Sequence, residues 1–215
     1  MDNKVKNKTD NFSVALGLFD YINPIFYTLT SFMVLRSING VISKPMFYIY
    51  AIGATISLIF GFTIPTVKFI VGLGVMKFKM PVNLVFYVNT GIFISGITMF
   101  TYTFKVNTIV SILLIVSVLI GLGLILKKTK KFNTIAVLIG TCGYLLLYIS
   151  FLSLAIISKK YMNVLMFAIA ICLFVYLCLV GIFSDLKNSR VHWAIEIANV
   201  MCQFIVAHSV IYLFM

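Results

Sequence analysis

The sequence predicts an all-α fold, a polytopic membrane helix bundle of about seven transmembrane helices with the N-terminus cytoplasmic and the C-terminus outside. Three observations carry that prediction. Of the 215 residues, 62% are hydrophobic and only 10% charged, against about 45–50% and about 25% in soluble globular domains. The apolar residues come in runs that reach the roughly 20 residues a helix needs to cross the hydrocarbon core. The 17 basic residues, set against 5 acidic ones, fall in short clusters between those runs, where the positive-inside rule puts them. A soluble domain could not cover so much apolar side chain, and disordered chains and disulfide scaffolds are excluded with it. The net charge of +12 belongs to membrane loops, and no nucleic-acid partner is expected.

Residues 1–13 form a polar tail, read as cytoplasmic, and 14–215 a single transmembrane helical domain. The tail leads into a long span with no small-residue cleavage site, so it does not resemble a removable signal peptide. The first span runs from about Val14 to Leu35 and is entered through Asp20, Asn23 and Pro24. The second follows Lys44-Pro45 and stays apolar to about Val75, too long for one straight crossing. It contains Pro65 and Lys68, and is read as one helix kinked by proline in preference to a span followed by an interfacial helix. Pro81–Phe104, Thr108–Leu126, Phe132–Ile157, Met162–Phe183 and Val191–Phe214 complete the count. Short loops join them, and no soluble domain is expected to interrupt or follow the helices.

Charge sets the orientation. With the N-terminus inside, that side carries Lys4, Lys6, Lys8, Lys77, Lys79, Lys127, Lys128, Lys130, Lys131, Lys187 and Arg190. The other side carries Arg36, Lys44, Lys105, Lys159 and Lys160, so the basic excess is cytoplasmic. The expected location is the plasma membrane, and heavy use of Ile, Phe, Lys and Asn is compatible with a bacterial, AT-rich source.

The last span carries the strongest functional signal. In VHWAIEIANVMCQFIVAHS the polar residues His192, Glu196, Asn199 and Gln203 are spaced by four, three and four, which puts them on one helix face. A charge at mid-bilayer costs at least about 2.5–3.5 kcal/mol, so this stripe faces the bundle interior or an aqueous cavity. Glu196 is the only glutamate. The stripe therefore reads as substrate-binding, with an interhelical hydrogen-bond network as the plain alternative. Asp20 lines a cavity entrance or caps the first helix, with Pro24 in its first turn. Lys68 is a natural counter-charge for Glu196 or Asp20, although snorkelling to the interface is the simpler account. Asn89, near mid-depth, needs a partner and can touch a ligand. Gly53, Ser57, Gly61 and Pro65 recur every fourth residue, a small-residue stripe for close helix packing. His208 lies off the polar stripe.

The four cysteines all lie in apolar runs without CxxC or Cys/His spacing, so they read as buried thiols, and neither a metal site nor a cofactor is expected. No catalytic residue stands out, and the tyrosines fit an interfacial belt. Three functions fit these residues. The favoured one is a transporter, or the substrate-binding membrane subunit of one, for a small organic or amphipathic molecule, proton- or cation-coupled through Glu196. A partner-dependent sensory or regulatory module comes second, since a chain ending at the outer face would need another subunit for output. An intramembrane lipid-modifying enzyme using His192 and Glu196 beside Asp185, Lys187 and Arg190 comes third. The partners expected are the lipid bilayer, a small-molecule ligand, and a protein subunit or second copy.

Overall fold

The computed structural model describes residues 14–75, 82–129, 132–183 and 189–215; the N-terminal tail and three of the basic connections lie outside this set. Among the described residues there is no strand, and the helices are α1 (Val14–Asp20), α2 (Ile22–Ile38), α3 (Lys44–Gly72), α4 (Val82–Phe104), α5 (Thr108–Thr129), α6 (Phe132–Ile157), α7 (Tyr161–Phe183) and α8 (Ser189–Phe214). Five of them, α3, α4, α6, α7 and α8, contain stretches long and apolar enough to cross a membrane. α2 has 17 residues, and the described apolar part of α5, Thr108–Gly121, is also shorter than a full crossing.

The polarity of the bundle is inverted relative to a soluble protein. Phe32, Ile52, Ile59, Leu113, Leu114, Leu165 and Tyr176 are exposed on the outside, whereas Ser57, Ser95, Thr98, Lys68, Glu196 and Gln203 are buried. Water would penalise such an exterior, and hydrocarbon favours it, while buried polar groups then need partners from neighbouring helices. This distribution is the one a multi-pass membrane bundle requires.

Packing arranges six helices in a ring in the order α2, α3, α4, α6, α7, α8, with α8 returning to α2. α5 lies outside, against α4 and α6. The two tightest seams, α3 with α4 and α4 with α6, are built on glycine. A Cβ at Gly53 would come within 2.8 Å of the Gly91 carbonyl oxygen, and one at Gly143 within 2.7 Å of the Phe93 backbone. The small-residue stripe of the second span is thus where α4 approaches: the Ser57 hydroxyl donates to the Val88 carbonyl at 3.0 Å.

Prolines shape the first two spans differently. Pro24 has no N–H to offer the Asp20 carbonyl four residues earlier, and α1 ends at that aspartate. The first apolar run is therefore two helices meeting at Tyr21. Asp20 does not cap the start of a helix as one reading of the sequence had it: Tyr21 is the N-cap of α2, without a side-chain cap bond. Pro65, by contrast, sits within a single 29-residue helix, so the long second run is one span with no separate interfacial helix. At 1.5 Å per residue α3 is about 43 Å long, against about 30 Å of hydrocarbon.

We call the end of the bundle where α1 begins and α3 finishes proximal, and the opposite end distal. Distally the ring is filled by Val34, Ile38, Met46, Tyr50, Met99, Phe151, Phe167, Val206 and Val210. α4 and α6 both finish there in Schellman turns, Val106 N–H to Thr101 O at 3.1 Å and Lys160 N–H to Ala155 O at 2.9 Å. Lys105 and Lys159 take the left-handed position, at φ 53° and 55°. Lys160 then donates to the Tyr212 and Leu213 carbonyls at 2.7 and 3.0 Å, satisfying the end of α8. Of the cysteines only Cys202 is buried; Cys142 and Cys172 are on the exterior and Cys178 is half-buried. Burial inside an apolar run was the expectation for all four, but an all-round apolar helix does not reveal which side faces lipid.

Candidate functional site: an ion triad beside a cavity

The proximal half of the ring holds a closed polar circuit contributed by four helices. The Lys68 ammonium on α3 lies 2.6 Å from Asp20 Oδ2 and 3.2 Å from Glu196 Oε1. The Asn23 amide on α2 donates to Asp20 Oδ1 at 3.2 Å and, at a longer 3.5 Å, to Glu196 Oε2. All three charged side chains are about nine-tenths buried, at 11%, 10% and 11% exposure for Lys68, Asp20 and Glu196. Lys68 thus does not snorkel away from the bundle; the pairing offered as an alternative for it is the one observed, and with both carboxylates at once. Desolvating three charges is costly, and the arrangement is stable because each has an opposite charge or a donor within reach.

Local structure puts these groups together. The Pro24 break turns the chain at the level of Asp20, and Gly17 lets α1 press onto the backbone of α3 at Phe69. On the neighbouring side the Tyr21 hydroxyl is 2.7 Å from Thr66 Oγ1. Glu196 stands near the start of α8, where Phe19 packs on Trp193 with ring centroids 5.7 Å apart.

Next to the circuit, reaching toward the middle of the bundle, lies a cavity of about 160 Å³. Asp20, Asn23, Pro24 and Tyr27 line it from the first span, and Ser57, Gly61, Ile64 and Pro65 from α3. Val88 and Ile92 of α4, Tyr144 of α6, and Asn199 and Gln203 of α8 close the other walls. From Pro65 to Ser57 the lining spans about 12 Å of helix axis. The mixture of apolar walls with a few convergent polar groups is the usual chemistry of a small-molecule pocket. Tyr27 is anchored through a long 3.5 Å bond to Ser95, and Tyr144 packs on Tyr148 and Phe174 at 5.7 and 5.4 Å.

The residues singled out in the sequence separate into groups. Asp20, Asn199 and Gln203 share the cavity wall. Glu196 is outside the wall and joined to it through Asn23 and Lys68. Asn89 is elsewhere, its amide donating to the Ala136 carbonyl at 2.9 Å and its side chain lying over Gly140. The side chain of His192 lies outside the described residues, as do Asp185 and Lys187. His208 is on the outer surface between Phe204 and Tyr212. Tyr27 and Tyr144 went unremarked in the sequence, because tyrosine in an apolar run reads equally well as interfacial; only the ring closure turns them inward.

Compared with models of known protein families, with curated proteins and with solved structures, the chain matches none. The reading of the site rests on its own chemistry.

Proposed function

We propose that this protein is a membrane transporter, alone or as the substrate-binding subunit beside an energising partner, for a small organic molecule. The observation that carries the proposal is the cavity between the first span, α3, α4, α6 and α8, with polar side chains on its wall and an ion circuit at its proximal end. Asn199, Gln203 and Tyr27 supply hydrogen bonds that orient a ligand, and Ile64, Val88 and Ile92 cover its apolar part. In this reading the packed distal half is the closed gate. Lys68, Asp20 and Glu196 join α1, α3 and α8 across the other end, so access from that side requires those contacts to loosen. Proton or cation coupling enters through the same three residues, since any ion that competes for a carboxylate weakens the hold of Lys68 on it.

The proposal includes a seven-span topology in a bacterial plasma membrane. α1 and α2 together make the first span, and α5 is the span outside the ring. The proximal end is cytoplasmic, because the basic loops 76–81 and 127–131, with Lys187 and Arg190, belong to it.

Uptake of a mixed metabolite extract into proteoliposomes, read by mass spectrometry, tests the transport reading. Wild-type protein should accumulate or exchange a defined chemical class, and the double change Asn199→Leu with Gln203→Leu should abolish it in protein that still folds. Identical contents in wild-type and protein-free vesicles would overturn the proposal.

A further inference from the structure

We propose that the groove between α3, α4 and α5 at the distal end binds one anionic phospholipid, its phosphate held at Lys105 and one acyl chain lying among the isoleucines of the three helices. The groove shares no lining residue with the cavity beside the ion circuit, so the proposal stands whatever that cavity carries.

Two cavities stack along the groove. The outer one, of about 340 Å³, is walled by Ser43 and Met46 at the start of α3, Thr98 and Thr101 of α4, and Lys105 and Thr108 at the turn into α5. The inner one, of about 210 Å³, is walled by apolar side chains alone: Ile49 and Ile52 of α3, Ile94 of α4, and Ile112, Ile115 and Val116 of α5. From outer to inner lining the step is Met46 to Ile49, Thr98 to Ile94 and Thr108 to Ile112, one turn on each helix. A polar mouth and an apolar slot are thus in register on three helices at once, which is the shape of an amphiphile. From Thr108 to Val116 the groove runs about 12 Å along the α5 axis.

Depth agrees with that shape. The apolar stretch of α4 ends at Phe104, so Lys105 stands at the level of the headgroups and the slot beneath it at the level of the chains. A cavity lined by isoleucine stays dry, and left empty it forfeits dispersion contacts along its walls. Inside a bilayer an alkyl chain is the group at hand to fill it.

Charge selects the lipid. An acyl chain gains little by leaving its neighbours for a protein slot, since lipid tails are as apolar as the isoleucines, so preference comes from the mouth. Lys105 supplies a cation there, and no aspartate or glutamate lines either cavity. The distal turns 39–43, 105–107 and 158–160 all belong to the described residues, and none of them contains an acidic side chain. The Ser43 and Thr108 hydroxyls lie 3.2 Å apart and share one hydrogen bond, which leaves one of their two protons to donate to a phosphate oxygen. A zwitterionic headgroup would bring its own cation up to Lys105; an anionic one does not.

The test uses full-length protein, delipidated in a non-ionic detergent and titrated with phosphatidylglycerol or phosphatidylcholine of identical chains. Native mass spectrometry reads the affinity of the first bound lipid, and thermal unfolding without added lipid checks that each variant folds. Phosphatidylglycerol should bind about five-fold more tightly, the factor that one interfacial lysine contributes. Lys105→Gln should bring the two lipids level. Lys159→Gln, at the matching turn of α6 and lining neither cavity, should leave the preference intact. Val116→Trp, which fills the slot from the exposed side of α5, should weaken both lipids. Glycerol 3-phosphate, which offers a phosphate without a chain, should not displace either. No preference in the wild-type protein, or its equal loss in both lysine variants, would overturn the assignment to Lys105. Lipid binding untouched by Val116→Trp, or displaced by glycerol 3-phosphate, would overturn the acyl-chain slot and leave a site for free phosphate at most.

Discussion

The Lys68 ammonium lies 2.6 Å from the Asp20 carboxylate, joining the last turns of α3 to the end of α1 inside a bundle whose outer surface is apolar. The pair is shared: Glu196 takes the same ammonium from α8 at 3.2 Å. Removing the cation therefore strands two carboxylates and not one. Lys68→Met should destabilise the protein by about 3–5 kcal/mol, the usual cost of breaking a buried ion pair from one side. Neutralising the whole group in the triple variant Lys68→Met, Asp20→Asn, Glu196→Gln should recover most of that loss. Thermal unfolding of the variants in one detergent measures both; a single Lys68→Met change with no effect on the midpoint would mean the three charges are hydrated and independent.

Glycine at the α4–α6 seam should be far less replaceable than glycine on α5. A Cβ at Gly143 would meet the Phe93 backbone at 2.7 Å, whereas Gly121 has nothing within 4 Å. Gly143→Ala should cost about 1–3 kcal/mol, as overpacking does when the obstacle is main chain. Gly121→Ala should leave the unfolding midpoint unchanged or slightly raised. Equal behaviour of the two variants would contradict the ring arrangement.

Asn89 separates a structural from a ligand-binding role. Its bond to the Ala136 carbonyl is an interhelical contact of the kind worth about 0.6–1.7 kcal/mol in membranes. Asn89→Ala should lower stability by that amount while leaving the affinity for any cavity ligand unaltered. A large loss of affinity with intact stability would move Asn89 into the binding site.

Topology reporters check the orientation. A periplasmic-active enzyme fused after Met215 should be active, and the same enzyme fused within residues 127–131 should be inactive. Moving the basic residues Lys127, Lys128, Lys130 and Lys131 to the 105–107 turn should weaken that difference. Activity of the loop fusion in the unaltered protein would reverse the proposed sidedness.

The helical class, the long second span and the polar face of the last helix were legible because each is a property of one segment. Spacing by four, three and four keeps Glu196, Asn199 and Gln203 on one side whatever surrounds them. The break after Asp20 was not read, because Pro24 fits equally well the first turn of a helix capped by Asp20, one of the two readings of that aspartate. What could not be read was the relation between segments. Asp20, Lys68 and Glu196 stand on three helices, and nothing in their sequence separation fixes a distance. Hydropathy also fails to separate α5 from α6, since both are apolar around their circumference, yet one is peripheral and the other forms a wall. The six-membered ring, and with it the inward turn of Tyr27 and Tyr144, follows from glycine seams whose partners only the fold identifies.

The order in which the charges are made has a consequence for biosynthesis. Asp20 and Lys68 stand on α1 and α3, so an emerging chain holds one acidic and one basic group that can neutralise each other long before α8 exists. Glu196 arrives with α8, which also closes the ring against α2. A nascent chain lacking α8 is thus electrically balanced at this point but open along one side. Its completion brings in the second carboxylate and the Asn199 and Gln203 wall of the cavity together, so a chain stopped before α8 could not form the pocket.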